Sequence, residues 1–150
     1  MKVSSFMVPK SKVISCTPED SLSVPMKLML EHVVGSVIVV SKEGTPVGIV
    51  TKTDLLRGWD QGLDAKTNSV YEIMGTQIET ILDTSPTGVA AEHFENKKHR
   101  HAFVVDKDGT YVGIVTAYDI AVETARDNKA WPYVNRDAIA EKYRVPTHAH

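Results

Sequence analysis

Three short stretches hold residues of the types that bind ligands. "GIVTKTDLL", Gly48 to Leu56, sets Thr51 and Thr53 just ahead of Asp54, and "GIVTAYDIA", Gly113 to Ala121, sets Thr116 three residues before Asp119. T-x-x-D is the spacing of a capping box: the hydroxyl accepts from a first-turn amide and the carboxylate reaches back. Ligand binding is compatible with that role, because a helix start turns free amides and a positive dipole end toward an anion. A carboxylate there also has the lone pairs to accept both hydroxyls of a ribose. The third stretch, "KKHRH" at residues 97–101, supplies cations. At a helix end it reads as a solvated run that suits the dipole. As a site it reads as phosphate capture by Arg100 and His101, whose guanidinium and imidazolium form charge-assisted bonds to phosphate oxygens.

Other reactive residue types lack partners at useful spacing. His93, His99 and His101 have no acid or cysteine beside them in a metal-ligand pattern, and His93 reads as a helix-surface residue. His148 and His150 stand at the terminus. Cys16 is the only cysteine, which rules out an intrachain disulfide and a thiolate zinc cluster, and no histidine–acid pattern marks it as a nucleophile. Met26 and Met29 read as core filler. With no Walker loop and no G-x-S-x-G, the chain is expected not to be an enzyme, and no metal or required cofactor is expected.

The elements that must position these residues occur twice, 65 residues apart. Ser36–Val40 falls on His101–Val105, Gly44–Val47 on Gly109–Val112, and Val13–Ser15 on Ile78–Thr80. The chain is thus two copies of a unit of roughly 55 residues, each too small to be comfortably stable alone, so the copies should pack together. Leu22, Met26, Met29, Leu30 and Val33 recur at helical spacing, which predicts a helix over Asp20–Val34, closed by Gly35. Pro25 fits it if Ser23 is the cap and Pro25 lies in the first turn. Val37–Val40 and Val47–Val50 read as strands around the turn "SKEGTP", and a further helix begins near Asp54. In the second copy the matching helix is Val89–Lys98 and the matching strands are Ala102–Val105 and Val112–Val115. "RGWDQGLDAKTNS" reads as a linker, and the tail holds Trp131, Tyr133 and a short helix over Asp137–Tyr143.

A net charge of -2 gives no basic excess for nucleic acid, and 42% apolar residues suffice for a shared core. No run approaches a membrane span and "MKVSSFMVPKSK" lacks a secretory apolar core, so no membrane partner and a cytoplasmic location are expected.

"TPEDSL" before a helix, then "GSVIVVSKEGTPVGIVTKTDLL", then the tandem copy "HRHAFVVDKDGTYVGIVTAYDI", resemble a pair of cystathionine-β-synthase (CBS) domains over about Ser4 to Val122. The resemblance implies an α/β fold in which two pseudo-two-fold-related βαββα repeats form one compact Bateman module. Residues 4–58 and 70–125 are read as the repeats, 59–69 as the linker and 126–150 as the tail. It further implies a stand-alone regulatory, energy-sensing module that binds an adenine nucleotide, AMP, ADP or ATP, in a cleft between the repeats. In such pairs the motif aspartate grips the ribose and neighbouring hydroxyls assist. Thr51, Thr53 and Asp54 match that pattern fully, and Thr116 and Asp119 match it with Tyr118 in place of the second hydroxyl. Basic residues just before the strand meet the phosphates of a nucleotide held by the other copy's aspartate. Arg100 and His101 occupy that place, while Gly35 and Ser36 carry no charge in theirs. The lead-in segment, Ser11, Lys12 and Ile14, is expected at the base. The cleft built on Asp54 should therefore bind better than that built on Asp119. Such pairs usually form homodimers and act on an associated protein, here unknown. A dimerisation module with empty clefts, or one that binds S-adenosylmethionine or a metal ion, stays open as an alternative.

Overall fold

Val37, Ile38 and Val39 are all buried, as are Ala102, Phe103 and Val104 at the same positions of the second copy. A strand buried on both faces reads as a continuous apolar run, and these two runs are the spines of two sheets. The computed structural model describes residues 1–95 and 100–127. The expected short helix over Asp137–Tyr143, Trp131, Tyr133, and Lys97 to His99 of the basic run lie outside the described residues.

The chain runs β1 (Val8–Pro9), β2 (Ser15–Cys16), α1 (Ser23–His32), β3 (Ser36–Val40), β4 (Pro46–Thr51) and α2 (Lys52–Asp60). It continues through β5 (Thr80–Leu82), α3 (Thr87–Glu95), β6 (His101–Val105), β7 (Tyr111–Thr116) and α4 (Ala117–Asp127). Single 3-10 turns stand at Val3–Ser5, Lys10–Lys12 and Val70–Glu72. β2 pairs parallel with β3 and β3 antiparallel with β4; β5, β6 and β7 repeat the arrangement. The registers are copies of one another: Ser36 faces Thr51 as His101 faces Thr116, and the ladder slips between Val39 and Val40 as it does between Val104 and Val105. The fold is the α/β arrangement of two βαββα repeats that the sequence resemblance implied.

The segments ahead of each repeat cross over. β1 pairs antiparallel with β7 of the second repeat, Val8 against Ile114 and Pro9 against Gly113. Gly75, ahead of the second repeat, bridges Ile49 on β4 of the first. Val3 is buried in the second repeat's core with Ile81, Val104, Val115 and Ile120, and Val70 is buried in the first repeat's core with Leu22, Val37, Val50 and Leu55. Fully burying a valine contributes about 1.5–3 kcal/mol, so each lead-in segment stabilises the opposite repeat. A third cluster joins the repeats: Ile38, Phe103, Tyr111 and Ile114, with Val13, Ile49 and Ile78 against them.

Two local expectations are corrected. α1 begins at Ser23, with Leu22 rather than Ser23 in the capping position and no side-chain cap. Linker carbonyls take that role: the Leu22 amide donates to Asn68 O at 3.1 Å and the Ser23 amide to Ala65 O at 2.8 Å. Pro25 does lie in the first turn, where its missing donor is not needed. The helix also ends earlier than Gly35, because Val33 adopts the left-handed conformation at φ 53° and the Val34 amide closes on Met29 O.

Cys16 is 4% exposed, and burial, with the nearby Asp20 charge, pushes its thiol up to about 12. Since the thiolate is the reactive form, a disulfide reagent at pH 8 should not label native protein, whereas denatured protein should label fully. Labelling of the native state at the rate of a free thiol would contradict the burial. Among the described residues no helix is long and apolar enough to cross a membrane.

Candidate functional site

The "GIVT" strands need glycine for a steric reason. A Cβ at Gly48 would lie 2.7 Å from Gly75 O and 3.0 Å from Met74 Sδ. At Gly113 it would collide with Val8 O and lie 3.0 Å from Met7 Sδ. The backbone of each lead-in segment therefore lies directly on the strand of the opposite repeat, and this contact fixes which segment closes which cleft.

Both T-x-x-D sequences form capping boxes. The Thr51 amide donates to Asp54 Oδ2 at 2.8 Å, the Thr51 hydroxyl donates to the same oxygen at 3.0 Å, and the Asp54 amide donates to Thr51 Oγ1 at 3.2 Å. In the second copy the Thr116 amide donates to Asp119 Oδ2 at 3.2 Å and the Asp119 amide to Thr116 Oγ1 at 3.1 Å. Capping occupies Oδ2 of Asp54. Its Oδ1 is 3.5 Å from Arg57 Nη1 and keeps lone pairs for a ligand. Thr53 is exposed on the first turn of α2.

A cavity of about 260 Å³ lies beside Thr51, lined by Ile49, Gln77, Ile78, Glu79, Arg100, His101 and Phe103. It brings Thr51, Arg100 and His101 together; Asp54 does not line it but is bonded to Thr51, which does. Ser11, Lys12 and Ile14 are not on it. The turn that holds Ser11 and Lys12 packs against β7, the strand that ends at Thr116, while Ile14 packs against the core of the first repeat. Of the ten expected residues the cavity thus gathers Thr51, Arg100 and His101, with Thr53 and Asp54 on the helix turn that Thr51 caps; Ser11, Lys12, Ile14, Thr116 and Asp119 do not line it. The lead-in that faces Thr51 is Gln77–Glu79, which sequence reasoning passed over. The offset that pairs Ile78 with Val13 held the signal, but only the crossing of the segments assigns each to its cleft.

His101 bonds across the two repeats. Its Nε2 is 3.1 Å from Ser36 Oγ, and Ser36 is its own counterpart 65 residues earlier. A bond between equivalent positions lies on the pseudo-two-fold axis. Burial pushes the half-buried imidazole below its ordinary value, opposed by Asp119 and reinforced by Arg100. Near neutral pH it is therefore uncharged, and a phosphate would draw a proton onto it.

His93 is not a plain surface residue. Its side chain is 23% exposed, packs edge-on against Phe94, and brings Nε2 to 3.3 Å from Glu79 Oε2, a close approach not aligned as a hydrogen bond. In the first repeat the same two positions are Leu28 and Ile14, an apolar pair. No group of three or more metal-ligating side chains occurs among the described residues.

Comparison with known proteins agrees with this architecture. The sequence profile of the CBS domain matches residues 3–59 and 70–125. An uncharacterised protein of Methanopyrus kandleri is 30% identical over 114 residues, 75% of this chain and 58% of that protein. The chain therefore spans a little over half the length of that relative. The crystal structure of CBSX2 in complex with AMP is 28% identical, with a TM-score of 0.70, over 83% of this chain and 96% of that one. A CBS domain protein from Pyrobaculum aerophilum complexed with AMP is 27% identical, with a TM-score of 0.69, over 84% of this chain and 99% of that one. Two matched copies, paired in space about a pseudo-two-fold axis, show that the chain belongs to the CBS domain family as a tandem pair, a Bateman module.

Proposed function

We propose that this module is regulatory rather than catalytic: a homodimer that binds an adenine nucleotide in the cleft beside Thr51 and passes its occupancy to a partner protein. The observation that carries the reading is the convergence of Thr51, Arg100 and His101 on one cavity, with Asp54 hydrogen-bonded to Thr51. In this reading Asp54 Oδ1 accepts the ribose hydroxyls, Thr51 and Thr53 assist, and Arg100 and His101 hold the phosphate. Gln77–Glu79 takes the place at the base that Ser11–Ile14 takes in the second cleft. A volume of about 260 Å³ lies just below the usual span of ligand sites, about 300 to 1,000 Å³. That favours AMP over ADP and ATP, in keeping with the two relatives whose structures hold AMP. The cleft on Asp119 has the uncharged Gly35 and Ser36 in place of this basic pair and is the weaker site.

Thermal unfolding with AMP, ADP, ATP and S-adenosylmethionine tests the reading. AMP at 100 times its Kd should stabilise the protein by about 2.7 kcal/mol. Asp54→Asn, which retains an oxygen for the cap, should remove most of that shift. No shift with any nucleotide, or an equal shift in the variant, would sink the assignment.

A further inference from the structure

We infer that Glu79, held in place by His93, selects the base: its carboxylate accepts from the 6-amino group of adenine and turns away 6-oxo purines. The inference rests on the nucleotide reading above and adds to it the group that reads the base. Among the described residues that line the cavity beside Thr51, Glu79 is the only acid. Its main chain is tied into the sheet, since the Phe103 amide donates to Glu79 O at 2.8 Å. His93, on α3, brings Nε2 to 3.3 Å from Glu79 Oε2, and each side chain is 23% exposed.

The internal duplication shows that folding does not ask for this pair. In the first repeat the Ile38 amide donates to Ile14 O at 3.2 Å, so the main chain is a copy. Yet Ile14 and Leu28 fill the places of Glu79 and His93 there and pack against the apolar core. The core that α3 covers in the second repeat, with Ile81, Ala90 and Phe94, would accept the same two residues. The polar pair instead leaves a buried Nε2 with no hydrogen-bond partner, which disfavours the folded state. A pair that the fold can do without, set on the wall of a cavity, is placed for a ligand.

The charge of Glu79 says what that ligand must offer. Arg100 and His101 on the same cavity suit an anionic phosphate, and a carboxylate near them weakens binding of that anion unless it meets a donor. A nucleoside monophosphate carries its donors on the ribose and the base. The ribose hydroxyls fall to Asp54 in the reading above, which leaves the base. Adenine presents an exocyclic amine, whereas a 6-oxo purine would set carbonyl lone pairs against those of the carboxylate. His93 acts through Glu79 as a positioning residue. With the proton on Nε2, a small rotation of the carboxylate completes the hydrogen bond and fixes the rotamer that meets the base.

Calorimetric titrations of the full chain with AMP, IMP, GMP and purine riboside 5′-monophosphate, which has only hydrogen at position 6, test the selection. Wild type should prefer AMP to IMP by at least about 30-fold, with purine riboside monophosphate between them. Glu79→Gln can turn either its oxygen or its amide nitrogen to the base, and should bring AMP and IMP within about 3-fold of each other. His93→Leu, which copies the first repeat, should keep the circular dichroism spectrum and the Kd for purine riboside monophosphate while the preference for AMP over IMP falls at least about 5-fold. No binding of any nucleotide by wild type would overturn the nucleotide reading and the selection with it. AMP bound without preference over IMP, a preference for GMP, or a preference that Glu79→Gln keeps would overturn the selection alone. A preference lost in Glu79→Gln but intact in His93→Leu would remove His93 from it.

Discussion

Replacing Gly113 by alanine should lower the stability of the module by about 1–3 kcal/mol, and Tm by several degrees, although only a methyl group is added. The new Cβ would meet Val8 O and Met7 Sδ. Methionine sulfur can turn aside, but the carbonyl belongs to the β1–β7 ladder and moves only if β1 moves with it. Gly48→Ala meets Gly75 O and Met74 Sδ on the other side and should behave in the same way. Gly35→Ala is the control, because its nearest new neighbour is the flexible Lys52 Cε at 3.9 Å. Denaturant melts of the three variants decide the matter; equal stability of Gly113→Ala and Gly35→Ala would contradict the close backbone approach.

An Arg100→Ala variant should bind AMP roughly 5- to 30-fold more weakly, a loss of about 1–2 kcal/mol. A charge-assisted bond to phosphate in a buried place would be worth more, but Arg100 is exposed at the cleft and solvent screens it. Folding should be unaffected, because the contact Arg100 makes with α4 is through its carbonyl, which accepts from the Ala117 amide at 2.9 Å. His101 adds a pH dependence whose sign follows from its environment. Burial holds the free imidazole below its ordinary value, so a phosphate that prefers the charged form must be bound with uptake of a proton. Affinity for AMP should therefore rise as pH falls from about 8 to 6.5, before the phosphate itself protonates near pH 6. His101→Gln should flatten that rise while Arg100→Ala keeps it. Calorimetric titrations in buffers of different ionisation enthalpy measure the proton directly, and binding without uptake would remove His101 from the phosphate. For the fold alone the sign is opposite to that for binding: a histidine held below its ordinary value stabilises the protein above about pH 6.5, and that contribution is lost as pH falls below it.

What the sequence made legible is what is local or repeated. The 65-residue offset predicted strands whose registers and bulges are copies, and it put Thr51 with Asp54 and Thr116 with Asp119 at helix starts. The family resemblance, rather than the offset, brought Arg100 and His101 to Thr51, and the cavity holds all three. What was not legible depends on chain crossings that no window of sequence contains. Ser11–Ile14 is expected at the base because similar domains contact it with that entry segment, whereas the cavity beside Thr51 is lined by Gln77–Glu79. The start of α1 is held by Asn68 and Ala65, more than 40 residues away, so inspection of Ser23 could not find its cap. Ser36 counts in the sequence only as the uncharged counterpart of His101, yet its hydroxyl meets His101 on the axis. The Glu79–His93 approach went unseen because its two members are 14 residues apart on different elements.

The exchanged lead-in segments set the unit in which such a chain can be inherited. A fragment holding residues 10–60 alone would keep α1 and three strands but lose Val70, Ile73 and Met74 from its core, and a fragment beginning at residue 61 would lose Val3, Phe6 and Met7 from its own. Each half is finished by a strip of chain encoded next to the other. Recombination that moved one repeat without its neighbour would deliver a core with a hole in it. The pair, rather than the repeat, is therefore the smallest piece that can be transplanted whole.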